Sequence, residues 1–282
     1  IVFVAIADLG YEAFLIAVIL AGAMQLILGL VKAGTISNYF PSNVIEGMLA
    51  GIGVIIFIQQ IPVALGADVE ISSGLGIFGD IFDAFQDIQP GVFIVTVVSL
   101  AILITWQNTP ALKKLKLVPG ALVAVLSGII INGLFIATGS SFAVTPEYLV
   151  NLPVPTSIEE FKGIFVTPSY QAIFDPAVWL VAVTITIVAS IETLLCIEAT
   201  ERIDPLKRFV NTNVELKAQG VGNIISGILG GLPMTSVVVR STANANSGAK
   251  TKMSAIIHGF LLLICVLSIP MILNLIPMAT LA

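Results

Sequence analysis

Two charged residues, Glu192 and Arg240, stand where a charge demands a chemical explanation. Glu192 lies in Thr184-Ile185-Thr186-Ile187-Val188-Ala189-Ser190-Ile191-Glu192-Thr193-Leu194-Leu195, a run with no other charge. It falls about 14 residues, hence roughly 21 Å, into a helix expected to begin near Val178. An acid near the centre of a bilayer costs on the order of 2.5–3.5 kcal/mol on insertion scales, so it should face a polar cavity or a partner. Such an acid suits a coupling site for a proton or a sodium ion, or the wall of a pocket. The structural alternative is an acid near a helix end, bonded to a neighbouring Ser or Thr.

Arg240 belongs to Gly227-Ile228-Leu229-Gly230-Gly231-Leu232-Pro233-Met234-Thr235-Ser236-Val237-Val238-Val239-Arg240-Ser241-Thr242-Ala243-Asn244. A helix is expected to end at the glycines, and Pro233 pushes its predecessor out of the α region. A short helix then restarts near 237–247, with Thr235 or Ser236 as its cap. A restart within a membrane leaves backbone N–H groups unpaired, which is tolerable only where the chain lines a cavity or is buried in protein. The positive helix end favours an anion by about 0.3–1 kcal/mol, and up to about 2 when partly buried. Arg240, one turn in, adds a charge that cannot be shed, and Thr235, Ser236 and Ser241 offer hydroxyl donors. The combination points to a small-anion site. The alternative is a packing element whose Arg240 pairs with an acid, Glu192 among the candidates. Glu46, about one turn into a helix, reads as a dipole-compensating acid, and His258 as a packed neutral imidazole.

The elements that must position these groups are membrane spans. Of 282 residues 57% are hydrophobic and 10% charged, with a mean hydropathy of +1.06. Soluble domains carry about 25% charged residues, so the bilayer must be part of the solvent. Apolar runs at about 12–31, 44–66, 91–107, 118–138, 178–197, 213–230 and 253–275 are each about long enough to cross roughly 30 Å of hydrocarbon. Residues 1–9 read as the tail of a further helix, and Pro270 is expected to kink the last run. The fold class is therefore an all-α polytopic membrane protein. Both ends lie in apolar stretches, as in a piece of a larger transmembrane domain. The net charge of −5 argues against a nucleic-acid partner. Cys196 and Cys265 lie in apolar runs and suggest small buried hydrophobes. With no P-loop, nucleophile elbow or metal-ligand cluster, no enzyme is expected.

Charge alternates between the connections. Residues 67–90 hold Asp68, Glu70, Asp80, Asp83 and Asp87 without lysine or arginine, and 139–177 is mostly acidic. Lys32, then Lys113, Lys114 and Lys116, then Arg202 to Lys217 fall on the other side, which the positive-inside rule makes cytoplasmic. Lys250 and Lys252 join them only if 231–250 itself completes a crossing.

Three stretches then carry a likeness to a known family. They are Ser190-Ile191-Glu192, Asp204-Pro205, and Asn211-Thr212-Asn213-Val214-Glu215-Leu216 continuing into Gln219-Gly220-Val221-Gly222-Asn223. The likeness runs on from Gly230-Gly231-Leu232-Pro233 through Gly248-Ala249-Lys250-Thr251. Less specifically, Asn38-Tyr39-Phe40-Pro41, Val44-Ile45-Glu46-Gly47 and Val118-Pro119-Gly120 agree. The chain resembles SulP anion transporters over nearly its whole length. The resemblance implies a 7+7 inverted-repeat (UraA-like) transporter with core and gate domains and a half-helix in each repeat. Residues 1–138 would be the rest of the first repeat, 139–177 an extracytoplasmic connection and 178–282 the start of the second. The cytoplasmic STAS domain usual in the family is absent from the chain.

By the same resemblance, substrate sits between the N-termini of the two half-helices. Residues 1–9 end the first, and the second contributes Thr235, Ser236, Val239, Arg240 and Ser241. Glu192 takes the coupling-ion position, for H⁺ or Na⁺, with no other cofactor. The implied function is secondary active transport of bicarbonate or sulfate by a homodimer in a bacterial inner membrane. Likeness to bacterial members associated with carbonic anhydrase tilts this toward bicarbonate. A nucleobase/H⁺ symporter of the same fold, or a channel-like member, is the alternative.

Overall fold

The computed structural model describes residues 2–39, 42–69, 76–109, 118–154, 157–163, 165–204 and 206–282. Phe40, Pro41, Glu70, Lys113, Lys114, Lys116 and Pro205, invoked above, lie outside the described residues. The apolar runs form helices: α1 (Val2–Leu9), α2 (Tyr11–Leu30), α3 (Ser42–Leu65), α4 (Ile77–Gln86), α5 (Pro90–Asn108) and α6 (Gly120–Ala137). They are followed by α7 (Ile158–Gly163), α8 (Pro176–Ile203), α9 (Thr212–Ile228), α10 (Val238–Asn246), α11 (Met253–Ser268) and α12 (Pro270–Leu273). Among them α2, α5, α6 and α8 are long and apolar enough to cross a membrane.

Three elements depart from expectation. The 178–197 run extends to Ile203, because Glu198, Glu201 and Arg202 continue the helix past its apolar part. Pro270 does more than kink the last run: α11 stops at Ser268 and a separate one-turn helix begins at Pro270. The acidic connection 67–90, read as a loop, contains α4.

The chain forms two compact units, Ile1–Gly47 with Pro155–Ser254, and Met48–Val154 with Ala255–Ala282. In the first unit α2 and α9 run antiparallel with their backbones nearly touching. Gly22 with Gly29, and Gly220 with Gly227, repeat every two turns on the facing stripes. A Cβ placed on Gly220 would stand 2.6 Å from the Gly22 carbonyl oxygen, and one on Gly22 equally close to that of Gly220. Within a bilayer such small residues let van der Waals contact replace the missing hydrophobic drive. α8 packs across α2 through Val178, Ala182 and Ile185, and α1 caps that contact with Ala5.

Three ion pairs at and just beyond the end of α8 hold Glu46, Glu198 and Asp204. Arg202 bonds Glu198 at 2.8 Å and Glu46 at 3.1 Å, so Glu46 is a structural partner. Arg208 donates to Asp204 through Nε at 2.8 Å and Nη2 at 2.9 Å, and through Nη1 to the Lys250 carbonyl at 2.8 Å. That last bond puts Lys250 on the same side as the 204–211 connection, as the charge pattern predicts if 231–250 completes a crossing.

In the second unit α6 shows how a lipid-facing helix is written. Leu122, Leu126, Ile130 and Leu134 form an exposed stripe, while Ala124, Gly128 and Asn132 face inward. The buried Asn132 accepts from the Val144 N–H at 2.9 Å and pins the connection after α6. That connection joins the C-terminal residues, Val150 N–H donating to Ile276 at 2.9 Å and Leu152 N–H to the Asn274 side chain at 2.7 Å. His258, expected to be packed, is exposed on α11.

Gly220→Ala should drive the α2 and α9 backbones apart and destabilise the protein by about 1–3 kcal/mol, as overpacked sites do. Gly133→Ala, where an added methyl meets nothing within 4 Å, serves as the neutral control. Thermal unfolding of the two purified variants in detergent should separate them clearly.

Candidate functional site

The segment between α9 and α10 crosses the first unit without helical hydrogen bonds, so its polar backbone groups need other partners. α9 and its neighbours provide them. Asn223, fully buried, accepts from the Met234 N–H at 2.6 Å, and its amide nitrogen reaches the Met234 carbonyl at 3.3 Å. Gln219, one turn earlier, donates to the same carbonyl at 3.0 Å and to the Ala189 carbonyl of α8 at 3.3 Å. Ser226 donates to the Leu232 carbonyl at 2.7 Å. At the entry, the Tyr11 hydroxyl donates to Gly230, whose φ of +81° suits glycine alone.

A buried chain of amides extends this grip into α2. The Asn223 amide donates to Gln25 Oε1 at 2.7 Å, and Gln25 in turn reaches the Ser190 hydroxyl of α8 at 3.4 Å. Gln25, Gln219 and Asn223 are all buried. Gln219 and Asn223 read as family residues and helix packing from the sequence, and Gln25 carried no role. Their signal was present: a long polar side chain in mid-span is expensive unless bonded.

Thr193 is the hub on α8. Its hydroxyl is 3.1 Å from that of Thr235 and accepts from the Ser236 N–H at 3.3 Å. Thr235 and Ser236 therefore do not cap α10. The N-cap is Val237, in extended conformation and with no side-chain cap bond, because the two hydroxyl residues are drawn sideways toward α8 and α9. Ser236 instead donates to Glu215 at 3.4 Å. The first N–H groups of α10 thus have no hydroxyl cap. Cys196, expected only to fill space, has its thiol beside the Val238 backbone.

The predicted site residues separate into two sets. Glu192 and Thr235 line one cavity of about 130 Å³ with Val2, Ala189, Pro233 and Met234. The first helical residue of α1 thus meets the entry to α10 beside the Glu192 carboxyl, with which the Thr235 hydroxyl interacts. Ser241 lies elsewhere, bonded to the Val237 carbonyl at 3.1 Å. It lines a second hollow, of about 340 Å³, with Thr200, Asp204, Arg208 and Lys252. Val239 and Arg240 are exposed and line neither. Arg240 and Glu192 do not pair with each other, and among the described residues neither makes a salt bridge.

With this geometry in place, a model of the sulfate permease family matches residues 2–282. The chain belongs to the sulfate permease family. Relatives within that family include the putative sulfate transporter YvdB of Bacillus subtilis (strain 168), 29% identical over 287 residues, which cover 100% of this chain and 51% of YvdB. The bicarbonate transporter BicA of Picosynechococcus sp. is 29% identical over 268 residues, 94% of this chain and 44% of BicA. The chain spans about half the length of the curated relatives it matches. Among solved structures, the transmembrane domain of a cyanobacterial BicA superposes with a TM-score of 0.70 at 25% identity, covering 98% of this chain and 66% of that one. SLC26A9 superposes at 0.71 with 18% identity, covering 96% and 42%, a likeness of fold alone. Family, helical structure and apolar spans together make this a multi-pass membrane protein of the UraA-like fold.

Two outcomes follow for the site's framework. Asn223→Leu strands the Met234 N–H, a loss of about 1–3 kcal/mol, and amide exchange at Met234 to Ser236 should rise while that of α5 and α6 is unchanged. At the other end of α10, Arg208 holds the Asp204 carboxyl far below the usual carboxylate range through direct side-chain bonds. A depressed folded value means the clamp acts fully above the unfolded pKa of about 3.9 and is lost only as pH falls below it. Intrinsic-rate-corrected exchange at Ser247 to Ala249 should therefore match at pH 7 and pH 5, and rise several-fold at both in Asp204→Asn.

Proposed function

We propose that the full protein moves a small inorganic anion, bicarbonate or sulfate, across a bacterial inner membrane by alternating access, coupled to H⁺ or Na⁺ through Glu192. One observation supports the reading: Val2 of α1 and the Pro233–Thr235 entry to α10 line a single cavity with Glu192, which makes no salt bridge among the described residues. Arg240 likewise makes no salt bridge among the described residues, while Glu215 reaches Ser236 just ahead of α10. A site of this kind attracts an anion at the helix ends and leaves the carboxylate open to a cation. The names of the relatives, sulfate and bicarbonate transporters, agree with that charge pattern. Substrate contacts are proposed for Thr235, Ser236, Val239, Arg240 and Ser241, which requires Ser241, on a separate hollow, and Val239 and Arg240, lining neither, to approach substrate in another state of the transport cycle. Of these, Thr235 lies at the cavity itself, and Arg240 acts through its field from one turn into α10. The full-length protein is proposed to work as a homodimer.

Uptake of labelled bicarbonate and sulfate by the full protein in liposomes tests the reading directly. Saturable uptake of at least one, driven by a proton or sodium gradient, is expected; binding of uracil with no anion uptake would place the protein among nucleobase carriers instead. Glu192→Gln should leave anion binding measurable while removing gradient dependence, and persistence of that dependence would exclude the acid from coupling. Arg240→Glu should weaken anion affinity by at least about tenfold, equivalent to ~1.4 kcal/mol. Unchanged affinity would mean that the helix end alone attracts the substrate.

A further inference from the structure

The connection between α3 and α5 was expected to be an acidic loop, yet α4 within it is the most sharply divided helix in the second unit. Its residues sort into three stripes. Ala84 is fully buried and packs on Leu65 and Ala67 at the end of α3, with Ile61 and Val69 beside them. Phe82 and Phe85, three residues apart and so on one face, are 67% and 56% exposed. Asp80, Asp83 and Asp87 recur at three and four residues on the remaining face.

The second observation is depth. α4 ends at Gln86 and α5 begins at Pro90, so three residues join them. At 3.3–3.6 Å per residue that link reaches no more than about 11 Å. The link is tied back as well, the Gln89 N–H donating to the Leu65 carbonyl at 3.0 Å. α5 has 19 residues, or roughly 28 Å of helix, nearly the full hydrocarbon thickness of about 30 Å. Pro90 and Leu65 therefore stand at the edge of the hydrocarbon, and α4 is tethered within the headgroup layer above it.

We infer that α4 lies flat in the extracytoplasmic membrane interface, with Phe82 and Phe85 inserted among the acyl chains and Asp83 and Asp87 in water. A helix with one apolar face, one charged face and an anchor at interfacial depth binds the acyl–headgroup boundary in this way. Its acidic face selects a zwitterionic surface rather than an anionic one, the reverse of a basic amphipathic helix. Such a contact would continue the exposed apolar faces of α5 and α6, on which Phe93, Val97, Leu126 and Ile130 stand.

Spin labels test the orientation. In the full protein in phosphatidylcholine vesicles, with the native thiols replaced by serine, nitroxides are placed singly by Phe82→Cys, Phe85→Cys, Asp83→Cys and Asp87→Cys. Power saturation should give a ratio of oxygen to nickel-chelate accessibility several-fold higher at 82 and 85 than at 83 and 87. Equal, high nickel accessibility at all four would put α4 in water and overturn the inference. Labels at 82 and 85 shielded from both reagents would show that protein, from the same chain or a second copy, covers that face, and would overturn it as well. If either phenylalanine variant fails to fold, the other reports the same face.

Discussion

The constraint on which this structure rests is the need to satisfy backbone that is not helical in a place where water does not reach. The segment from Leu232 to Val237 has no ladder of its own, so each carbonyl or N–H left without a partner would cost several kcal/mol in a membrane. Asn223 and Gln219 answer this with amide side chains, which carry a donor and an acceptor on separate atoms. Their use explains the rest of the first unit. The amides must approach the extended chain closely, and Asn223 has its own amide nitrogen satisfied by Gln25 of α2, so α9 must lie tight against α2. Gly22 and Gly220 are small because those two backbones have to meet at that depth.

Once the segment is fixed, the polarity of the site follows. α10 begins at Val238 with Val237 as an extended N-cap and no side-chain cap bond. Thr193 and Glu215 draw Thr235 and Ser236 aside, and the Cys196 thiol sits beside the Val238 backbone, so no hydroxyl closes the helix end. A capped half-helix would be more stable by about 1 kcal/mol and would have less field to offer.

Much of this was legible in the sequence, and the remainder was hidden for identifiable reasons. Apolar length gives the spans within a few residues, and Gly230-Gly231 followed by Pro233 gives the break. The start of α10 falls within a residue of its expected place, but its cap was assigned to Thr235 or Ser236, because cap preference is a local rule and Thr193 lies 42 positions before Thr235. α4 was passed over because five acids dominate the composition of its connection, although Phe82 and Phe85 already share a face. The division into two units each built from separated segments is not written in any local pattern. It emerges only when residues 1–47 fold against 155–254.

The spacing of Glu192 from Arg240 has its own logic. An ion pair between them would satisfy both charges and stabilise the local structure, as buried pairs do when geometry is good, but breaking it would cost several kcal/mol. A transporter built on such a pair would have to break it at every binding event. Holding the acid on α8 beside Thr235 and the base one turn along α10, with no salt bridge for either among the described residues, keeps both charges available. Under the proposed function each would gain most when its counter-ion arrives, so that an anion at the helix end and a cation at the acid would favour each other's binding.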